Sequence, residues 1–267
     1  MDFLKVKHRR KSLTSNALYI GLNLALPIIM FILIRTTGSI VLPMILVILS
    51  KWRALAVRPR FWLANLQANL VDLIVGLSVV TSMAMMNTAA VTDLAVTVAQ
   101  LFMVIFYAVW LLIIKPRSKR SFVIAQGGIA LFLGTSIAFA SLSYSVPSFV
   151  IVMIMWAIGY LCSRHILSSY EEKQITLLSL IWGFFIAEIS WLAYHWTIAY
   201  PVPGATFIQI PQVSILISLF AFVSVTFYNS LYKHKKIRLN DVILPTVFSL
   251  LVTIVLLVFF DNITYLQ

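Results

Sequence analysis

Residues 175–199, ITLLSLIWGFFIAEISWLAYHWTIA, form an apolar run with one carboxylic acid, Glu188, near its middle. A helix needs about 20 such residues to cross the roughly 30 Å hydrocarbon core of a bilayer. Runs of this kind recur along the chain. In lipid no water is present to satisfy backbone N–H and C=O groups, so a spanning segment must be a helix or belong to a closed barrel. The runs are long and lack the alternation of barrel strands, which selects helices.

Composition agrees. The 267 residues are 61% hydrophobic and 10% charged, against about 25% charged in soluble domains. The expected fold is all-α: one polytopic integral membrane helix bundle of about nine transmembrane helices. They fall at about 17–34, 39–57, 63–86, 94–114, 122–142, 147–163, 175–199, 213–232 and 242–260. A basic arm, 1–16, precedes them and a short tail, 261–267, follows. The arm and first run resemble a signal peptide. The run is longer than a usual signal core and has no cleavage pattern behind it, so it reads as a retained helix.

The second run is the weakest, because its apolar core, Ile40 to Leu49, is short. Charge supports it. With the arm in the cytoplasm and nine crossings, every one of the 20 Lys and Arg residues except Arg35 falls on the cytoplasmic side. Dropping the second helix moves two basic loops across the membrane and breaks the positive-inside pattern. The expected topology is N-terminus cytoplasmic and C-terminus outside, in the cell membrane. The net charge of +12 is therefore a topology signal, with anionic lipids at the basic loops as partners and nucleic acid excluded. The single cysteine, Cys162, excludes an internal disulfide and a paired-thiol redox site.

An acid at the centre of a membrane helix costs roughly 2.5–3.5 kcal/mol on the insertion scale, so Glu188 is expected to face protein or a water-filled cavity. Glu188, Trp191 and His195 share a helix face. Asn65, Asn69, Asp72 and Gly76 form a polar stripe on the third helix. By helical rise Asp72 stands about 15 Å from the helix start and Glu188 about 20 Å from its own, so the two acids could lie at similar depth. No Lys or Arg is expected in a membrane core to pair with them, which favours their neutral forms. Asp72, Glu188 and His195 are the proton- or cation-binding candidates. The plainer reading makes Asn65, Asn69 and Asp72 interhelical glue and puts His195 in an interfacial aromatic belt.

No P-loop, dinucleotide fingerprint, zinc-protease motif or serine-hydrolase elbow occurs. Glu171-Glu172 begins like the paired-glutamate motif of membrane-embedded CAAX-type proteases, but Leu177 stands where a basic residue is needed. No catalytic residue, metal site or cofactor is expected. The connection 200–212, with Pro201, Pro203 and Pro211, reads as a stiff connector. Two functions remain: a small transporter or ion-coupled carrier using the buried acids, or a non-catalytic accessory or assembly subunit. The second implies a membrane-protein partner, and self-association into a homo-oligomer is open to both.

Overall fold

The computed structural model describes residues 13–52, 62–89, 91–143, 145–195 and 198–259. In chain order the elements are α1 (Leu13–Thr37), α2 (Val41–Ser50), α3 (Trp62–Asn87) and α4 (Asp93–Val109), which runs into a π-helical turn (Trp110–Ile114). Then come α5 (Arg120–Leu142), α6 (Ser148–Ser168), α7 (Ile175–Tyr194), β1 (Ala199–Val202), β2 (Ala205–Pro211), α8 (Gln212–His234) and α9 (Leu239–Phe259). Eight helices among the described residues are long and apolar enough to cross a membrane. Their outward faces carry apolar side chains such as Leu18, Phe102 and Leu244, as contact with lipid requires.

The expected second helix is shorter than the sequence suggests. α2 has 10 residues, about 15 Å of helix. It ends at Ser50, where the Lys51 N–H bonds back to Ile48 O at 3.0 Å and tightens the last turn. Its proposed extension to residue 57 lies largely outside the described residues, as do most of the basic arm and the tail.

The connector after α7 takes a regular form that its prolines do not specify. It forms an antiparallel hairpin, with Val202 paired to Ala205 across the two-residue turn Pro203-Gly204. Proline presets the first turn position, and Gly204, at φ +82, takes the left-handed second one. Gln212 ties the hairpin down: its Nε2 donates to Tyr200 Oη at 2.7 Å and to Leu256 O of α9 at 3.2 Å.

α3 occupies the middle of the first half, packed on α1, α2 and α4, and joins the second half through α5 and α6. The most extensive helix contact is between α6 and α7. Ser179, Gly183, Ala187 and Ser190 make one buried face of α7, small enough for two backbones to approach as membrane helices favour. A Cβ on Gly183 would lie 3.0 Å from Trp156 O, and one on Gly159 3.3 Å from Gly183 Cα. Neither neighbour is a flexible side chain.

Gly183→Val must therefore push α6 and α7 apart. We expect it to cost about 1–3 kcal/mol, the usual range for overpacking, and to lower the melting temperature in mild detergent. An unchanged melting temperature would show that the contact is dispensable.

Candidate functional site

The strongest polar construction in the molecule is centred on Asp72. Its side chain is 6% exposed. Lys51, just beyond α2, forms an ion pair with Asp72 Oδ2. Lys115, just beyond the π-turn, brings its Nζ to 2.5 Å of the same oxygen. Trp110 Nε1 donates to Oδ1 at 2.8 Å. The expectation that no basic residue could reach the acid is thus wrong. Both lysines begin at helix ends, where sequence assigns them to loops, but a four-carbon stem can lie along apolar surface and carry its charge inward. The carboxyl group meets two ammonium groups and an indole, not a neutral environment.

Local backbone geometry makes this possible. The Lys115 N–H bonds to Trp110 O at 2.8 Å, the i→i+5 step of a π-turn, a feature frequent at functional sites. It sets Trp110 and Lys115 against the same acid. The carbonyls at the end of the turn are engaged by Gln126 of α5, whose Nε2 donates to Ile114 O at 2.8 Å and Arg117 O at 3.0 Å. Gln126 Oε1 then accepts from His165 Nε2 of α6 at 2.9 Å. That direction follows because an amide oxygen can only accept.

One helical turn from Asp72, Gly76 leaves room for the Tyr107 hydroxyl. An added Cβ would lie 2.7 Å from Tyr107 Oη and 2.8 Å from Val47 Cγ1. That hydroxyl is buried and has no hydrogen-bond partner among the described residues. In the remainder of the stripe, Asn69 is half-buried. Asn65 lies in α3, but its side chain falls outside the described ones.

Glu188 is placed differently from its expectation. It is exposed, on the face of α7 opposite the small residues, beside Phe184, Trp191 and Leu192, themselves exposed. Among the described residues of one copy of the chain it faces neither protein nor a cavity. His195 is also exposed, with the Trp191 and Tyr194 rings edge-on at 5.6 and 5.7 Å. α7 packs on α6 and α8, whereas α3 packs on the helices around it, so Asp72 and Glu188 do not form one site. The stripe Ser179-xxx-Gly183-xxx-Ala187 was the signal in the sequence that could have turned Glu188 outward. Lys51, Trp110 and Lys115 had only a weak one, their position at the ends of apolar runs.

Among the described residues, no group of three or more His, Cys, Asp or Glu side chains is arranged to hold a metal ion. Comparison with protein-family models, with curated proteins and with solved structures finds no match.

Two measurements probe the charged centre. Asp72→Asn leaves two lysines apposed without a counter-charge and should cost about 3–5 kcal/mol, as for a broken buried pair. Lys115→Met leaves the Lys51 pair intact and should cost clearly less, read as melting temperatures in mild detergent. In the second, Gly76→Ala should destabilise by about 1–3 kcal/mol. Tyr107→Phe removes an unpartnered hydroxyl, should be near neutral alone, and should recover part of the Gly76→Ala loss.

Proposed function

We propose that this chain is an accessory or assembly subunit of the cell membrane, held against another integral membrane protein through the Glu188 face of α7. The observation that carries the reading is the exposure of Glu188. It stands six residues from the end of α7 at Tyr194, about 9 Å along the helix. Its side chain is too short to reach the headgroups easily, unlike that of lysine. Left in lipid, a carboxyl group at this depth loses its hydrogen bonds to water. A neighbouring transmembrane helix with a cation or donor at the same level removes that cost, and the apolar residues around Glu188 supply packing.

The proposal includes nine crossings, α2 among them, with the N-terminus cytoplasmic and the C-terminus outside. The pairing of helix ends supports it. Lys51 and Lys115 meet at one end. Arg35 pairs with Asp93 at the other, where α1 ends and α4 begins. Anionic lipid at the basic loops follows from the same orientation.

Native mass spectrometry of the protein extracted in mild detergent tests this. The wild-type chain should carry a second membrane protein in fixed stoichiometry, and Glu188→Leu should lose it without a fall in melting temperature. A wild-type chain holding only lipid overturns the reading. Loss of a second copy of itself would replace it with self-assembly.

A second reading, an ion-coupled carrier, is favoured by the Asp72 centre alone. A proton delivered to Asp72 would weaken both ion pairs at once and release two ammonium groups, and intramembrane charges of this kind commonly mark ion pathways. It predicts proton flux into proteoliposomes under an imposed potential, followed with a pH-sensitive dye and abolished by Asp72→Asn.

A further inference from the structure

α7 and α8 meet where Phe185 packs edge-on against Phe220, with ring centroids 5.5 Å apart. Towards the end that carries Tyr170 and Tyr228 they part, and a cavity of about 270 Å³ opens between them. That is just under the usual size of about 300–1,000 Å³ for small-ligand pockets. Its floor is Leu131 of α5 and Cys162 of α6, and its walls include Leu178, Trp182, Ala221 and Val225. Almost every wall atom is apolar. The cavity lies between helices read as membrane-spanning, so hydrocarbon is the chemistry that fits it.

Its end is built differently. Tyr170 Oη donates to Asn229 Oδ1 at 2.6 Å, and Tyr228 Oη donates to the Glu172 carboxylate. These two bonds bind the α6–α7 connection to α8 at this end of the cavity. Just outside, the Arg120 guanidinium lies 4.8 Å from the Tyr170 ring centre and 4.2 Å from that of Tyr232. Its Nε donates to Ser169 O at 3.2 Å. The two terminal nitrogens have no hydrogen-bond partner among the described residues, and their planar fork matches a phosphate. Lys235 brings a second ammonium group, 5.5 Å from the Tyr232 ring centre. Its backbone is left-handed, at φ +57. Of the acids near this rim, Glu172 is engaged by the Tyr228 hydroxyl, Asp241 accepts from Ser230 Oγ at 2.9 Å and faces His234 Nε2 at 3.4 Å, and Glu171 is exposed.

We propose that the cleft among α5, α6, α7 and α8 binds one anionic membrane phospholipid, with an acyl chain in the cavity and the phosphate at Arg120 and Lys235. The charge at the rim and the apolar interior each select one half of such a molecule. Basic pockets between transmembrane helices are a known setting for acidic headgroups. A zwitterionic lipid offers the same tail but adds a positive group, which meets Arg120 and Lys235 unfavourably. The site is independent of Glu188, which lies beyond the Phe185 contact, further along α7.

The test uses the full-length protein in mild detergent with dioleoyl phosphatidylglycerol and dioleoyl phosphatidylcholine as probes, read by native mass spectrometry. One phosphatidylglycerol per chain should survive activation that strips phosphatidylcholine. Arg120→Gln should weaken the phosphatidylglycerol about tenfold, the loss of one charge-assisted contact, and leave phosphatidylcholine unchanged. Ala221→Trp, which fills the cavity, should remove the retained lipid. The unaltered protein gives a second readout that does not depend on a variant folding. Phosphatidylglycerol with a photoreactive acyl chain should crosslink to residues 162–182 and 221–228, in preference to the outer faces of α1, α4 and α9. Equal retention of both lipids, crosslinks spread evenly over the outer faces, or a retained peptide in place of lipid would each overturn the proposal.

Discussion

The contact between Gly159 and Gly183 decides how the second half of this molecule presents itself. Two helix backbones this close cannot rotate past one another, so the small face of α7 is committed to α6. Every other property of α7 follows from that commitment. Glu188, Phe184 and Trp191 are turned to the outside, and the first half of α7 stands away from α8. One packing interface therefore creates both an exposed acid, without a partner among the described residues, and an apolar cleft on the same helix. In water the same contact would compete with the burial of Phe184 and Trp191. In lipid those side chains lose little by staying outside, and close backbone packing prevails.

The first half adds a charged centre to its apolar core. α2 seats Pro43 and Val47 in the apolar core, and Lys51 anchors its end on Asp72. The π-turn brings Trp110 and Lys115 to the same carboxylate, and Gln126 and His165 carry the connection on to α5 and α6. Attraction between such groups grows as the dielectric falls, and so does the cost of losing one of them. This is why removing Asp72 is expected to do more harm than removing either lysine alone. One apolar core runs through both halves; the first adds ion pairing and amide caps to it, the second a close backbone contact.

Much of the fold was legible before any coordinates. The helical class and the presence of long apolar helices follow from run length alone; helix limits such as the ends of α2 at Ser50 and α7 at Tyr194 do not. The candidate site was less so. Asp72 and Glu188 stand out in the sequence for the same reason, as acids in apolar runs, yet their environments are opposite. Asp72 was read without its lysines because a loop lysine has a reach of several ångströms that a linear map does not show. Glu188 lies outward, against the expectation from its charge, because the small residues on the other face of its helix carry a stronger preference than one carboxyl group does. Arg120, Tyr170, Tyr228 and Tyr232 come from α5, the α6–α7 connection and α8, and no spacing in the sequence brings them together.

What the sequence by itself determined is the element type and the presence of helices long and apolar enough to cross a membrane. Long apolar runs with few charges belong in lipid, and a backbone in lipid has almost no choice but helix. It also determined where charge accumulates between those helices. Only the tertiary structure decided which face of each helix meets protein. That choice rests on shape complementarity between surfaces distant in the chain, and on how far flexible side chains reach back from helix ends. It is the reason Asp72 is bound by two lysines, Glu188 is left on the surface, and an apolar cleft opens between α7 and α8.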